Sequence, residues 1–247
     1  MKKIISLFLT LTMIFALAAC SSNQSTDDNS SESSSSVPAT ESTEQPSSSD
    51  EEEPAETPSE QPETDAKTLV VYFSMPETTD PNNMTQEEDN SVVVINGEVL
   101  GNTQYVAYVI QEQTGADIFR IEPETPYPTD HDTLVDLAAD EQDDNARPVI
   151  KDTTLNLDQY DTIFVGYPNW WGDMPMILYT FFDTYDFSGK TIIPFNTHGG
   201  SGFSGTIGTI AELEPNAEVN EDGFTVSRNN VQEAEPDIIS WLDELGY

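Results

Sequence analysis

The sequence predicts a doubly wound α/β domain in residues 67–247. Short apolar runs, rich in β-branched and aromatic residues, alternate there with segments of helical periodicity. This alternation is typical of parallel strands joined by right-handed helical crossovers. The runs are apolar throughout, as expected for strands that are buried on both faces. We therefore predict a five-stranded parallel sheet with helices on both sides.

The predicted strands and helices follow one another along the whole domain. Gly115 lies where the first helix should end, and Pro194 is unusual for a central strand because it lacks an N–H donor. Between the first strand and the first helix lies an insertion of about residues 75–100, in which Asn96-Gly97 predicts the turn of a β-hairpin. The predicted strands are 68–73, 117–121, 162–166, 191–195 and 224–226, and the helices are 104–113, 130–141, 174–185, 206–213 and 235–245.

The N-terminal 66 residues predict export and tethering. Two lysines precede a short apolar run that ends at Leu17-Ala18-Ala19-Cys20, which indicates a signal peptide over residues 1–19. The junction resembles a bacterial lipobox, which implies acylation of Cys20 and a lipid anchor on the extracytoplasmic face of the cell membrane. The alternative is an ordinary cleaved signal with an incidental cysteine. Residues 20–66 contain almost no apolar side chains, so they predict a disordered, acidic, Ser/Pro-rich tether.

The net negative charge restricts which classes of molecule the protein can bind. The formal net charge is −38, and residues 67–247 alone carry 33 Asp plus Glu against 6 Lys plus Arg. Such a surface repels phosphates, so we expect no nucleic-acid binding. It would attract a basic protein partner, or it would simply keep the protein soluble. His131 and His198 are the only histidines, and His131 lies where it could cap a helix or interact with its dipole, so we predict no metal site.

Three loops follow predicted strands at the edge where doubly wound sheets bind ligands. The first ends in Gly101-Asn102-Thr103-Gln104, which suits an anion at a helix N-terminus or a plain helix cap. The second, residues 167–175, contains Trp170 and Trp171, which would cover a ring system unless one of them only closes the core. The third, residues 197–202, is rich in glycine, so its backbone N–H groups are accessible to carbonyl acceptors.

The second and third loops, Tyr-Pro-Asn-Trp-Trp-Gly-Asp-Met-Pro and Thr-His-Gly-Gly-Ser-Gly, resemble a branch of the flavodoxin family. The resemblance covers nearly all of residues 67–247 and implies an FMN cofactor. Flavodoxins have a compact first loop, whereas this chain has the insertion, and Leu100 stands where Ser or Thr is usual. The resemblance implies that phosphate binds at Ser74, Gly101, Asn102, Thr103 and Gln104, and that the isoalloxazine ring lies between Pro168, Asn169, Trp170, Trp171 and Gly172 on one side and Thr197, His198, Gly199, Gly200, Ser201 and Gly202 on the other.

We therefore expect an FMN-binding electron-transfer protein with a redox protein partner. One alternative is an enzyme of the same fold that reduces quinones or other oxidants with NAD(P)H, with His198 as its proton donor. A loop histidine satisfied by the backbone is the other interpretation of His198. The cations, among them Arg228, look scattered, which argues against a site for a dinucleotide phosphate. A further alternative is a flavin-free binding module on the same scaffold.

The lipobox resemblance generates a direct test. We expect Cys20→Ser to move the protein from the membrane fraction into the medium, because the substitution removes the acylated sulfur. Fractionation of producing cells, followed by immunodetection, measures the distribution. A variant that stays as membrane-bound as the parent would refute the lipid anchor.

Overall fold

A parallel sheet runs through residues 67–247, the part of the chain that the computed structural model describes. The predicted signal peptide, Cys20 and the tether lie outside the described residues. None of the helices in residues 67–247 has the length and apolar character needed to cross a membrane. In chain order the elements are β1 (Thr68–Tyr72), α1 (Gln86–Ser91), β2 (Val92–Ile95), β3 (Glu98–Gly101), α2 (Asn102–Thr114), β4 (Asp117–Arg120), α3 (His131–Asp143), β5 (Thr162–Pro168), α4 (Met176–Thr184), β6 (Thr191–His198), α5 (Thr206–Leu213), β7 (Glu218–Val219), β8 (Phe224–Ser227), a 3-10 turn (Val231–Glu233) and α6 (Glu235–Leu245).

The sheet has the strand order β4-β1-β5-β6-β7, and β8 also pairs with β6. All of these pairings are parallel. β7 pairs with the first part of β6 and β8 with its last four residues, so these two short strands together fill one position. The predicted parallel sheet, five positions wide, is confirmed.

Pro194 lies opposite the gap between β7 and β8. The carbonyl of Ile192 accepts a hydrogen bond of 2.8 Å from the backbone N–H of Asn220, on the β7 side of β6. Backbone groups two residues apart in a strand face the same neighbour, so Pro194 also faces that side. There the chain is unpaired, and an added Cβ on Gly223 would lie 2.6 Å from the Pro194 carbonyl oxygen. The missing N–H of Pro194 therefore breaks no ladder hydrogen bond, which explains how a central strand accommodates it.

The sheet buries an apolar cluster on each face. Successive residues of a strand point to opposite faces, and Val71 and Val165 belong to one cluster while Val70 and Phe164 belong to the other. Helices α3, α4 and α5 contribute to the first cluster, and α2 and α6 contribute to the second. The domain is therefore wound on both sides, as the sequence predicts.

The insertion forms a structured flap, which we define as residues 75–100. β2 and β3 pair in antiparallel register, with Val94 opposite Val99. Asn96 and Gly97 have φ values of 53° and 85°, as a type I′ hairpin turn requires. Leu100 is buried in the cluster that α2 and α6 cover, so the hairpin packs on the domain. The predicted hairpin is confirmed.

Helix ends follow local capping signals. Asp130 caps α3 by accepting a 3.1 Å hydrogen bond from the backbone N–H of Thr133. Gly115 ends α2 in the left-handed conformation, as predicted. Helix α1, which the sequence analysis did not predict, begins with a capping box in which Thr85 and Glu88 satisfy each other's backbone N–H groups. It buries no residue, so apolar periodicity gives no signal for it.

Alanine substitutions at two glycines should change the free energy of unfolding in opposite directions. A Cβ at Gly166, in β5, would overlap the ring of the fully buried Phe195, so we expect Gly166→Ala to lower the free energy of unfolding by about 1–3 kcal/mol. Gly208 is exposed in α5, with nothing within 4 Å of an added Cβ. We expect Gly208→Ala to raise the free energy of unfolding by about 0.5–1 kcal/mol. Urea unfolding measures both, and equal effects would contradict this packing.

Candidate functional site

A cavity of about 300 Å³ opens at the carboxyl edge of the sheet, where β1, β5 and β6 end. All three loops that the sequence singled out contribute to its wall. The structure brings together ten of the sixteen predicted cofactor-binding residues there: Ser74, Asn102, Thr103, Pro168, Asn169, Trp170, Trp171, Thr197, His198 and Gly199.

The other six predicted residues lie beside the wall. An added Cβ at Gly101 would overlap the Ser74 hydroxyl, so this glycine allows the end of β1 to pass against the start of α2. The carbonyl of Gly202 accepts hydrogen bonds of 2.9 Å from the side-chain amides of Asn169 and Asn196. As ligand contacts these six residues stay predictions: Gly101, Gln104, Gly172, Gly200, Ser201 and Gly202.

A buried hydrogen bond links the first and third loops. The Oγ1 atoms of Thr103 and Thr197 lie 2.8 Å apart, and both side chains are buried. The backbone N–H of Asn169, in the second loop, donates a 2.8 Å hydrogen bond to the Thr197 carbonyl. The ends of all three loops are therefore held in one fixed arrangement.

Asn102 presents an unpartnered acceptor in the cavity wall. Its Nδ2 donates a 2.8 Å hydrogen bond to the backbone carbonyl of Asn90 in the flap. Because a carbonyl can only accept, this bond determines the orientation of the amide. The Oδ1 atom is buried and has no hydrogen-bond partner within residues 67–247. A buried acceptor without a partner is costly, so this atom indicates where a donor group of a ligand would fit.

The two tryptophans of the second loop have different environments. Trp170 packs edge-on against Phe73 and Tyr127, so it closes the core and also lines the cavity. Trp171 is 60% exposed, and its Nε1 donates a 3.0 Å hydrogen bond to the Val135 carbonyl of α3. Trp171 and Gly172 have φ values of 53° and 81°, so the backbone makes a left-handed turn at these two residues. Of these two tryptophans, only Trp171 exposes a large flat surface to solvent.

The flap and α3 supply cavity residues that the sequence analysis did not predict. His131 Nδ1 lies 3.0 and 3.1 Å from the two carboxylate oxygens of Glu77, whose side chain is buried. His131 thus joins α3 to the flap, whereas the helix cap is Asp130; the sequence interpretation of His131 as a capping group was wrong. The additional wall residues are Met75, Glu77, Glu87, Asn90, Ser91, His131, Leu134, Val135, Ala138 and Arg228.

Arg228 is the one Lys or Arg side chain of residues 67–247 in this wall. Its backbone N–H donates a 2.8 Å hydrogen bond to the His198 carbonyl, because β8 pairs with β6. Glu77 and Glu87 make the part of the wall that the flap contributes acidic. Arg228 lies two residues after the last predicted strand, and this position is a signal that could have placed it at the carboxyl edge of the sheet.

His198 uses one ring nitrogen within its own loop. Its Nδ1 accepts a 2.8 Å hydrogen bond from the backbone N–H of Gly200, which leaves the proton of the neutral ring on Nε2. Burial lowers the pKa of His198, so the neutral form predominates at pH 7. This geometry favours the interpretation of His198 as a loop histidine satisfied by backbone.

Comparisons with known proteins show similarity to flavodoxins and flavoproteins. A family model described as flavodoxin matches residues 91–245. A protein assigned as a flavoprotein from Bacteroides eggerthii DSM 20697 is 27% identical, with a TM-score of 0.55 over 74% of this chain and 99% of that chain. Another from Bacteroides uniformis ATCC 8492 is 27% identical, with a TM-score of 0.51 over 68% of this chain and 96% of that chain. A flavoprotein in complex with FMN from Lactobacillus acidophilus NCFM is 19% identical, with a TM-score of 0.48 over 68% of this chain and 97% of that chain. No curated protein matches the chain.

The threonine pair generates a prediction about coupling between the loops. Thr103→Val or Thr197→Val should each lower the free energy of unfolding by about 1–3 kcal/mol, because each leaves the other buried hydroxyl without its partner. The double variant should lose less than the sum of the two, since it contains no orphaned hydroxyl. Urea unfolding of the flavin-free parent and the three variants closes the cycle. Strictly additive losses would show that the two loops are not coupled by this bond.

Proposed function

Because the chain belongs to the flavodoxin family, we propose that its cavity binds FMN and that the protein transfers electrons through this cofactor. The observation that carries the proposal is the buried, unpartnered Oδ1 of Asn102 at the start of α2. It lies in a cavity wall that also contains hydroxyl groups, a helix N-terminus and an exposed indole. These groups fit the phosphate, polyol chain and ring of FMN. When bound, FMN supplies one- and two-electron redox chemistry.

We assign the phosphate to the hydroxyls of Ser74 and Thr103 and to the free backbone N–H groups at the start of α2. The positive end of a helix dipole favours an anion there. Nδ2 of Asn102 donates to the Asn90 carbonyl, and the unpartnered Oδ1 is an acceptor, which suits a donor group and not a phosphate oxygen. We therefore assign Asn102 to a hydroxyl of the ribityl chain, which differs from the phosphate role that the sequence resemblance implied.

We assign the ring to the space beside Trp171 and the third loop. Trp171 is the exposed tryptophan of the pair, and covering it with a flat ring would remove apolar area from water. His198 retains a donor on Nε2, and the backbone of Gly199 lies beside it in the wall. These donors match carbonyl acceptors at a ring edge.

The charge of the wall supports an electron carrier over an enzyme that uses NAD(P)H. Arg228 is the only Lys or Arg among the cavity residues within the described chain, and two carboxylates, Glu77 and Glu87, line the same cavity. A dinucleotide brings at least two more negative charges, which this wall would repel. The same carboxylates disfavour the addition of negative charge to a bound cofactor.

We further propose that Cys20 anchors the protein at the extracytoplasmic face of the membrane and that a basic redox protein is its partner. The lipobox-like junction supports the anchor, and the excess of carboxylates in residues 67–247 supports the basic partner. Complementary charge speeds association and weakens with salt, so electron exchange with such a partner should slow as ionic strength rises.

A series of three flavins tests the assignments within the site. We expect Asn102→Ala to weaken riboflavin and FMN alike, by up to about tenfold, because one hydrogen bond contributes about 0.5–1.5 kcal/mol. Lumiflavin, which has the ring but no ribityl chain, should be unaffected. We expect Trp171→Ala to weaken all three, because stacking contributes about 0.5–1.5 kcal/mol. Quenching of flavin fluorescence during titration measures each affinity.

Asn156→Ala provides the matched control, because Asn156 is exposed and lies outside the cavity; it should bind all three flavins like the parent. If Asn102→Ala weakens FMN but spares riboflavin, the side chain addresses phosphate and our assignment is wrong. If the parent binds none of the flavins, the proposed cofactor is wrong.

A further inference from the structure

Three aromatic rings form a contact cluster that leads inward from the cavity. The ring centroids of Trp170 and Phe73 are 5.5 Å apart, those of Trp170 and Tyr127 are 5.6 Å apart, and those of Phe73 and Tyr127 are 5.7 Å apart. Trp170 lines the cavity, whereas Tyr127 is buried. An electron can therefore move between Tyr127 and the cavity wall across rings in contact.

Tyr127 also has a proton acceptor in place. Its hydroxyl donates a 2.8 Å hydrogen bond to Oε2 of Glu141, a partly exposed residue of α3. Burial raises the pKa of the Tyr127 phenol, and the nearby Glu141 charge raises it further. Burial also raises the pKa of the Glu141 carboxyl, which makes its ionised form a better base. The phenol therefore keeps its proton at rest, and a base is present to receive that proton on oxidation.

This combination occurs once among residues 67–247. Trp241 contacts the rings of Phe164 and Phe224, and the indole N–H of Trp171 binds a backbone carbonyl. Neither forms an aromatic pair with a tyrosine in the described chain. Two other tyrosines donate to carboxylates, Tyr160 to Asp117 and Tyr179 to Asp173, but neither ring pairs with a tryptophan there.

We propose that Trp170, Tyr127 and Glu141 form a relay that carries an oxidising equivalent out of the cavity. The oxidant is a strongly oxidising aromatic cofactor in the cavity, such as a light-excited flavin. The identity of this oxidant rests on the proposed function, whereas the electron and proton transfers among the three residues do not. The oxidant takes one electron from the indole of Trp170. Tyr127 then passes one electron to the oxidised indole, and its phenolic proton moves to Glu141.

In total, the relay transfers one electron from Tyr127 to the oxidant and one proton from Tyr127 to Glu141. The oxidant gains the electron, Trp170 returns to its resting state, and Tyr127 becomes a neutral phenoxyl radical beside a protonated Glu141. Phe73 lacks a hydroxyl group, so it supports the packing of the two redox-active rings and is not itself oxidised. The effect is to move the oxidised site away from the cavity and its cofactor.

Flash photolysis of the full-length protein tests the relay in two arms. In the flavin-free arm, photogenerated tris(bipyridine)ruthenium(III) oxidises tryptophan, and transient absorption follows the separate bands of the indolyl and phenoxyl radicals. In the second arm, FMN is added and excited with blue light. In the parent, we expect the phenoxyl band to rise as the indolyl band decays.

Three substitutions keep the shape of the cluster and remove one step each. Tyr127→Phe and Trp170→Phe should each lose this rise of the phenoxyl band, because the electron donor or the entry point is gone. Glu141→Gln retains a hydrogen-bond acceptor but not a base, so the rise should slow and become dependent on the concentration of buffer base. Tyr160→Phe removes a tyrosine with an equivalent carboxylate bond but no tryptophan neighbour, and it should behave like the parent.

Circular dichroism establishes that each variant is folded before the flash experiment. A phenoxyl rise in Tyr127→Phe equal to that of the parent would overturn the relay, and so would an equal loss in Tyr160→Phe. A rise in Glu141→Gln that is unchanged in rate and independent of buffer base would remove Glu141 from it. If FMN does not bind, the proposed function fails, while the flavin-free arm still decides the relay.

Discussion

The central strands β1 and β5 are buried on both faces, and the arrangement of the domain follows from this burial. Val70, Val71, Phe164 and Val165 are fully buried, so water cannot satisfy their backbone groups and neighbouring strands must. Parallel pairing with both neighbours satisfies them, and helices on the two sides cover the apolar faces. The crossovers that this requires return every strand in the same direction. The ends of β1, β5 and β6 therefore meet at one edge, and the candidate site lies there.

At that edge, side chains from distant parts of the chain determine how the site is presented. The flap does more than lengthen the first loop, because its Asn90 carbonyl binds Nδ2 of Asn102 and so determines the orientation of that amide. Its Glu77 binds His131 and so fastens the flap to α3. The insertion is therefore part of the proposed binding site and not an addition to its rim.

Trp170 and Trp171 illustrate how adjacent residues acquire different chemistry. A left-handed turn at Trp171 and Gly172 directs the second indole outward, while the first remains in contact with Phe73 and Tyr127. One tryptophan is thus available as a platform for a ring, and the other joins the cavity to a buried tyrosine. Trp170 closes the core, as one interpretation of the pair held, whereas the covering of a ring by Trp171 stays a prediction.

The sequence by itself determined strands β1, β4, β5, β6 and β8, helices α2 to α6, the hairpin turn and the three loops at the edge of the sheet, but not α1 or β7. These features depend on local patterns, because apolar runs and helical periodicity record burial, and Asn96-Gly97 suits a turn with positive φ. Only the tertiary structure decided that Glu77 meets His131 across 54 positions of sequence, that Arg228 enters the cavity wall and that Pro194 faces a gap in the sheet. It also decided which end of the Asn102 amide is free. These outcomes depend on strand register and on contacts between distant segments, which no local pattern of residues encodes.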